Sequence, residues 1–193
     1  METWFFGFVQ SLTGNPVVDE LMVFSAEFLV LLVPVTLVYL WFQGEVGRLD
    51  SVYAFTAVIA GLIVSYAVLA QVYQHESPFQ IYQTISSGEP ENSFPSQHTT
   101  VVLSMVLPLI WQSRRKLASL FIATGVLTGF SRIYIGEHFL IDILGAGLAS
   151  IIGFGAMYLV QKHLDEQIRQ ITNLGHRIQE KVFSILPLNL ESN

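Results

Sequence analysis

Five apolar runs constrain the fold of this chain more than any other feature of its sequence. They cover residues 21–42, 52–73, 96–111, 117–131 and 139–160. An α-helix rises about 1.5 Å per residue, so about 20 apolar residues cross a hydrocarbon core roughly 30 Å thick. The chain is 52% hydrophobic and only 12% charged, which excludes an ordinary soluble domain. The sequence predicts an all-α, multi-pass transmembrane bundle of five to six membrane helices, forming one domain over residues 1–193.

Two of these runs, 96–111 and 117–131, are too short to cross a bilayer unaided. We expect them to span with the help of flanking residues, or with part of each helix lining a cavity instead of lipid.

The two ends of the chain carry weaker apolar patterns. Residues 1–20 combine an aromatic stretch with the turn Gly14-Asn15-Pro16, which favours an interfacial or re-entrant helix. In residues 162–193, apolar residues recur every three or four positions among charges, which favours a cytoplasmic amphipathic helix. The apolar positions are Leu164, Ile168, Ile171, Leu174, Ile178 and Val182.

Basic residues are distributed very unevenly between the two predicted sides of the membrane. If all five runs cross, all but one of the nine Lys and Arg residues fall on one side, and only Arg132 falls on the other. The positive-inside rule makes the basic side cytoplasmic. The net charge of −6 argues against a nucleic-acid partner, and the lack of cysteine excludes thiol chemistry and Cys-based metal sites.

Polar residues with chemical potential gather at the predicted outer ends of the helices. The stretch SFPSQHTT (93–100) leads into the third run. Pro95 suits the first position of a helix, which would leave the amides of Ser96, Gln97 and His98 directed out of the helix start. Free amides and the positive end of the helix dipole together favour an anion site.

The fourth and fifth runs add charged groups on the same side. Arg132 carries a forked, permanent charge suited to phosphate oxygens. His138 and Asp142 are four residues apart, so on a helix they share a face, and the carboxylate can accept from one ring nitrogen while the other stays nucleophilic. His98 is placed to protonate a leaving oxygen. This set predicts metal-independent phosphoryl transfer through a phosphohistidine.

Two motifs resemble those of a known family. FPSQH (94–98) and SRIYIGEHFLID (131–142) resemble the second and third signature motifs of the type-2 phosphatidic acid phosphatase superfamily, which shares its helical core with vanadium haloperoxidases. The chain length, the stretches VFSAEFLVLL and LTGFSRIYIGEH and the amphipathic tail resemble the bacterial undecaprenyl-diphosphate phosphatases associated with bacitracin resistance. The resemblance implies an enzyme of the bacterial plasma membrane that recycles a lipid carrier for peptidoglycan biosynthesis, with its site on the extracytoplasmic face and no cofactor or metal.

The resemblance also implies roles for individual residues. His138 matches the nucleophile, Asp142 the carboxylate that orients it, and His98 the acid that protonates the departing lipid phosphate. The phosphate ligands are matched by Arg132, Ser96 and Gln97.

The first motif of the family, a lysine followed seven residues later by Arg-Pro, is not present. Ala70 stands at the lysine position and Ser77 at the arginine position, ahead of Pro78. Loss of a guanidinium from a phosphate site removes a charge-assisted interaction worth about 1.5–3 kcal/mol. His75 is a candidate to supply part of the missing positive charge.

Glu27 lies within the first apolar run, where a carboxylate is costly and usually faces a cavity or a partner. Two interpretations stay open: that it lines the entrance for the diphosphate, or that it bonds to Ser65 or Tyr66 of a neighbouring helix.

The membrane-embedded substrate is expected to be a lipid phosphate, and the leading interpretation is undecaprenyl diphosphate. Phosphatidate and phosphatidylglycerophosphate are alternatives, because the motifs describe phosphate chemistry and not the lipid tail. A third hypothesis is a lipid-phosphate-binding homologue with impaired catalysis, which the substitution at Ser77 supports. The lack of paired interrupted helices in two matching halves disfavours a transporter.

Overall fold

The computed structural model describes residues 2–87 and 92–185, and helices joined by short connections dominate this part of the chain. The helices are α1 (Glu2–Gln10), α2 (Pro16–Phe28), α3 (Leu32–Trp41), α4 (Gly44–Val64), α5 (Ala70–Val72), α6 (Pro78–Ile81), α7 (Gln97–Leu103), α8 (Val106–Trp111), α9 (Arg115–Tyr134) and α10 (Leu140–Ile185). An isolated bridge joins Glu76 and Asn92. The predicted all-α fold is confirmed.

Four of the helical segments in residues 2–87 and 92–185 are long and apolar enough to cross a membrane. They are Pro16–Trp41, Gly44–Val72, Arg115–Tyr134 and Leu140–Lys181. A 3₁₀ turn joins α2 to α3 and a π-helical turn joins α4 to α5, so each pair forms one continuous span. The predicted five to six membrane helices are slightly more than the four that meet this criterion.

The shorter apolar segment Gln97–Trp111 contains α7 and α8 and runs alongside α10. At its start the amide of Ser96 donates to the carbonyl of Asp142, and at its end Trp111 Nε1 donates to Gln161. On α10 those two positions are separated by about 28 Å at 1.5 Å per residue. The short segment therefore follows α10 over nearly the thickness of a hydrocarbon core.

Two breaks in the apolar segments coincide with proline. The 3₁₀ turn Leu29–Leu31 precedes Pro34, and α7 gives way to α8 ahead of Pro108. Proline lacks an N–H and clashes with the carbonyl four residues earlier, so the regular helix is interrupted in the preceding turn.

The longest helix contact is that of α4 against α10, and it depends on small residues. A Cβ atom added to Gly153 would lie 2.6 Å from the amide nitrogen of Gly61 and 2.8 Å from the carbonyl oxygen of Ala57. The two backbones therefore approach more closely than any larger side chain permits. This contact fixes α10, whose first turn carries Asp142.

Helix α1 packs against the end of α9. Phe6 and Val9 are buried, and Gln10 Nε2 donates to the carbonyls of Ile133 and Tyr134 at 3.1 and 3.0 Å. The α1 side chains thus complete the last turn of α9, just before the residues of the candidate site. The membrane placement predicted for residues 1–20 stays a prediction.

The tail does not form a separate helix in the described part of the chain, because α10 continues without a break from Leu140 to Ile185. Thr172 is buried, and Gln179 accepts a hydrogen bond from Trp41 Nε1 at 2.8 Å. Leu164, Ile171, Leu174 and Ile178 are exposed, as an amphipathic helix requires. The side chain of Val182 and residues 186–193, which belong to the predicted tail, lie outside the described residues.

Candidate active site

The connection between α9 and α10 brings the third motif together. Gly136 has a positive φ of 89°, which turns the chain sharply after α9. The loop of residues 74–95 is hydrogen-bonded to this turn. Phe79 N donates to the Gly136 carbonyl at 2.9 Å, and Ser86 N donates to the Ile135 carbonyl at 2.8 Å. His138 follows the turn, just ahead of α10, and is buried.

Asp142 is completely buried and is the centre of a hydrogen-bond network. Its Oδ2 accepts from the Ser93 hydroxyl at 2.6 Å and from the Phe139 amide at 2.8 Å. Nδ1 of His138 lies 3.4 Å from the same oxygen. The predicted pair of His138 and Asp142 is therefore brought together, although the distance exceeds that of a good N–H···O bond.

Ser93 bridges this pair, and its position was not predicted. Its hydroxyl oxygen lies 3.1 Å from His138 Nδ1 and 2.6 Å from Asp142 Oδ2. A hydroxyl carries one proton, so Ser93 donates to the carboxylate and accepts from the imidazole N–H. Nδ1 of His138 is therefore oriented by both Ser93 and Asp142. Nε2 of His138 makes no hydrogen bond within residues 2–87 and 92–185. The residue precedes the FPSQH motif directly, and this adjacency is the one signal that pointed to it.

His75 lies on the other side of Asp142. Its Nε2 is 2.7 Å from Asp142 Oδ1, and its Nδ1 is 3.0 Å from the carbonyl oxygen of Glu76. Carboxylate oxygens only accept hydrogen bonds, so Nε2 of His75 is the donor to Asp142. The loop histidine therefore faces the carboxylate of the site and not the free side of His138.

Arg132 is buried between two carboxylates. Its Nη1 donates to Glu27 Oε1 at 3.0 Å, and its Nη2 forms an ion pair with Glu137 Oε2. The structure therefore gives Glu27 a partner on α9, whereas the hydroxyl of Ser65, one of its proposed partners, bonds to Gln97. Glu137 was not identified from the sequence, although it precedes His138 inside the motif.

His98 is half-buried and lies within electrostatic range of Arg132, Glu137 and His138. Its side chain makes no hydrogen bond within the described part of the chain. The side chain of Gln97 is held in place, since Oε1 accepts from Ser65 at 2.9 Å and Nε2 donates to the Pro95 carbonyl at 3.1 Å. This leaves only the backbone of Gln97 for a ligand.

The start of α7 differs from the sequence prediction in two ways. The helix begins at Gln97 with Ser96 as the N-cap, so Pro95 is not its first residue. The Ser96 backbone is extended (φ −63°, ψ 116°), so the helix begins two positions later than expected. The Ser96 amide donates to the Asp142 carbonyl and its hydroxyl pairs with Thr99, so both groups have protein partners.

The position that lacks the family arginine is buried. Ser77 is 2% exposed and Pro78 begins the short helix α6. Ala70, at the lysine position, begins α5 at the end of the second span and is half-buried. Neither side chain adds positive charge to the site. Within residues 2–87 and 92–185, no three His, Asp or Glu side chains gather in a way that could hold a metal ion.

Comparisons with known proteins found a matching family model and similar bacterial proteins. The family model described as PAP2 superfamily matches residues 52–165. Undecaprenyl-diphosphatase BcrC of Bacillus subtilis (strain 168) is 31% identical over 175 residues, which is 89% of this chain and 88% of that protein.

Two solved structures share the fold. LpxE of Aquifex aeolicus superposes with a TM-score of 0.67 at 19% identity, covering 81% of this chain and 94% of that one. The first transmembrane PAP2 type phosphatidylglycerolphosphate phosphatase from Bacillus subtilis superposes with a TM-score of 0.61 at 18% identity, covering 84% and 83%. With the two motifs brought to one site at the ends of membrane-spanning helices, these matches show that the chain belongs to the PAP2 superfamily and is a membrane lipid phosphatase.

Proposed function

We propose that this phosphatase hydrolyses undecaprenyl diphosphate to undecaprenyl phosphate through a phosphohistidine on His138. The observation that carries the proposal is the hold on Nδ1 of His138 by Ser93 and Asp142, which leaves Nε2 free of protein partners in the described residues. A neutral imidazole with Nδ1–H directed at acceptors has its lone pair on Nε2, as a nucleophile requires. The likeness to BcrC supports the choice of lipid.

The reaction takes place in two displacements. In the first, Nε2 of His138 forms a bond to the terminal phosphorus as the bond to the bridging oxygen breaks, and His98 donates a proton to the departing lipid phosphate. In the second, water gives a proton to His98 and attacks the phosphorus, and the P–N bond breaks to release inorganic phosphate. Arg132 and the backbone amide of Gln97 hold the equatorial oxygens.

The site lies on the extracytoplasmic face of the bacterial plasma membrane under this proposal. Arg114, Arg115 and Lys116 lie at the opposite end of α9 from Arg132, so the positive-inside rule orients the helix with Arg132 outside.

The substrate is tested by phosphate release from three lipids, undecaprenyl diphosphate, phosphatidate and phosphatidylglycerophosphate, with detergent-purified protein and no added metal. We expect the diphosphate to have the highest kcat/KM, and His138→Ala to reduce it by at least about a thousandfold. His163→Ala, which removes an exposed histidine from α10, is the matched control. A preference for either monophosphate lipid would replace the proposed substrate.

The intermediate is tested by rapid quenching with substrate radiolabelled at its terminal phosphorus. Label on the protein that is stable to base and labile to acid, and missing from His138→Ala, is the expected result. Turnover by wild type with no such label, even when quenched in the burst phase, would contradict the phosphohistidine.

The face of the membrane is tested by cysteine labelling, because the chain has no cysteine of its own. Ser87 is exposed in the loop beside the site and Ser184 is exposed near the end of α10. In intact cells, a membrane-impermeant maleimide is expected to label Ser87→Cys and to label Ser184→Cys only after permeabilisation. The reverse pattern would place the site in the cytoplasm.

A further inference from the structure

The two carboxylates that bind Arg132 differ in their position in the chain, their exposure and the number of their other partners. Arg132 is 7% exposed and comes from the last turn of α9. One carboxylate, Glu27, comes from α2 of the first span, and the other, Glu137, comes from the connection that carries His138. The question is which of the two a phosphate group would displace.

Glu137 is fixed at both its backbone and its carboxylate. Its amide donates to the Arg132 carbonyl at 3.0 Å, and its carbonyl oxygen packs 3.2 Å from the Ser93 hydroxyl oxygen. Its Oε1 accepts from the Ser86 hydroxyl at 2.9 Å, which leaves Oε2 for Arg132. The side chain is only 19% exposed. Such a residue is suited to orient a guanidinium and to stay in place while the guanidinium binds something else.

Glu27 is held by much less. Its side chain is 42% exposed, and its carboxylate contacts Arg132 alone among the side chains of the described residues. If another anion takes the place of Glu27 on Arg132 Nη1, only one hydrogen bond is broken. The released carboxylate is already partly exposed to solvent. Arg132 also has capacity to spare, since its Nε is buried without a hydrogen-bond partner in residues 2–87 and 92–185.

We infer that Glu137 is a positioning residue that aligns Arg132 for the phosphate, and that Glu27 occupies the place of the phosphate on Arg132 and is displaced by it. The inference rests on the proposed function in one respect, that Arg132 is a phosphate ligand. Glu27 then competes with the phosphate group of the substrate for Arg132 when substrate binds. It competes with inorganic phosphate for the same guanidinium when product leaves. Glu137 acts in the opposite sense, since its loss leaves Arg132 free to turn away.

The test is the affinity of the full-length, detergent-purified protein for inorganic phosphate, measured by calorimetry and as the inhibition constant in the lipid phosphatase assay. Glu27→Gln is expected to tighten phosphate binding about fivefold, since an amide cannot replace the carboxylate as a competitor. Glu137→Gln is expected to weaken it about tenfold, and Ser86→Ala to weaken it less. Both Gln variants keep the shape of the side chain.

The matched control is Glu20→Gln. Glu20 is exposed on α2, two turns nearer the start of the helix, and has no hydrogen bond or ion pair within the described residues. It removes the same charge from the same helix, and we expect phosphate affinity to change less than about twofold. Opposite effects of Glu27→Gln and Glu137→Gln cannot arise from misfolding, which would weaken binding in both.

Each outcome separates this inference from the choice of lipid. Equal phosphate affinities in all variants, or loss of affinity in Glu27→Gln, would overturn the displacement of Glu27 even if undecaprenyl diphosphate is hydrolysed. Undetectable binding in wild type and in Glu27→Gln would overturn it as well. The expected opposite shifts would support it even if a different lipid proves to be the substrate.

Discussion

Nε2 of His75 lies 2.7 Å from Oδ1 of Asp142, closer than Nδ1 of His138 lies to the other oxygen of the same carboxylate. The carboxylate that family resemblance assigns to one histidine is therefore shared by two. His75 belongs to the loop that lacks the family arginine, and it reaches the site from that loop. We expect any effect of His75 on catalysis to be exerted through Asp142, because both ring nitrogens of His75 already have protein partners.

We predict that His75→Ala lowers kcat for lipid phosphate hydrolysis about tenfold, because Asp142 loses a hydrogen-bond donor and becomes less well positioned to orient His138. His75→Gln keeps a donor near Oδ1 and is expected to recover part of the loss. The measurement is kcat and KM of each variant, with His163→Gln as the control. Equal rates for wild type and His75→Ala would show that the contact has no part in catalysis.

We predict that Ser93→Ala lowers kcat by about one to two orders of magnitude, corresponding to about 1.5–3 kcal/mol for a buried hydrogen bond to a charged group. The hydroxyl is the closest group to Asp142 Oδ2, and without it Nδ1 of His138 has only a long contact to the carboxylate. KM is expected to change little, because Ser93 faces the side of His138 away from Nε2. Ser87→Ala, in the exposed part of the same loop, should be indistinguishable from wild type.

Restoring the family residue by Ser77→Arg is expected to destabilise the protein and not to raise its activity. Ser77 is 2% exposed, so the larger side chain overpacks a filled space, which costs about 1–3 kcal/mol before the charge is considered. The measurement is the thermal unfolding midpoint in detergent together with phosphate release, with Ser87→Arg as the control. An active and stable Ser77→Arg variant, beside an inert wild type, would instead favour a binding role for the natural chain.

The contact between α4 and α10 predicts a large effect from one methyl group. Gly153→Ala places a Cβ against backbone atoms of Gly61 and Ala57, which can only be relieved by moving a helix. We expect loss of about 2 kcal/mol or more in stability, seen as a lower unfolding temperature. Gly155→Ala on the same helix has no atom within 4 Å of the added Cβ. It is expected to be neutral or slightly stabilising, because alanine is the better helix former.

Much of the architecture could be predicted from local sequence. Apolar runs predicted the membrane helices, and the breaks before Pro34 and Pro108 follow from the chemistry of proline alone. His138 and Asp142 could be paired because they are only four residues apart, although His138 lies in the connection ahead of α10 and not on a shared helix as expected. Such features depend on residues within a turn or two of one another.

The partners of the charged groups could not be predicted in this way. Glu27 and Arg132 are 105 positions apart, and His75 and Asp142 are 67 apart. No periodicity links such positions, since their meeting depends on how the spans pack together. The Ser96 amide shows the converse problem: a helix start offers free donors in principle, but the packing of α7 against α10 gives this one an acceptor.

The unbroken course of α10 has a consequence for the membrane in which the enzyme works. Asp142 lies in the first turn of this helix and Gln179 is held by Trp41 near its other end, so about 55 Å of rigid rod separates them. A continuous helix cannot lengthen or shorten when the bilayer becomes thicker or thinner. The difference is accommodated by tilting of the helix or by deformation of the surrounding lipid. We therefore expect the depth of His138 relative to the lipid phosphate groups to vary with bilayer thickness, and turnover to depend on the acyl-chain length of the surrounding lipids.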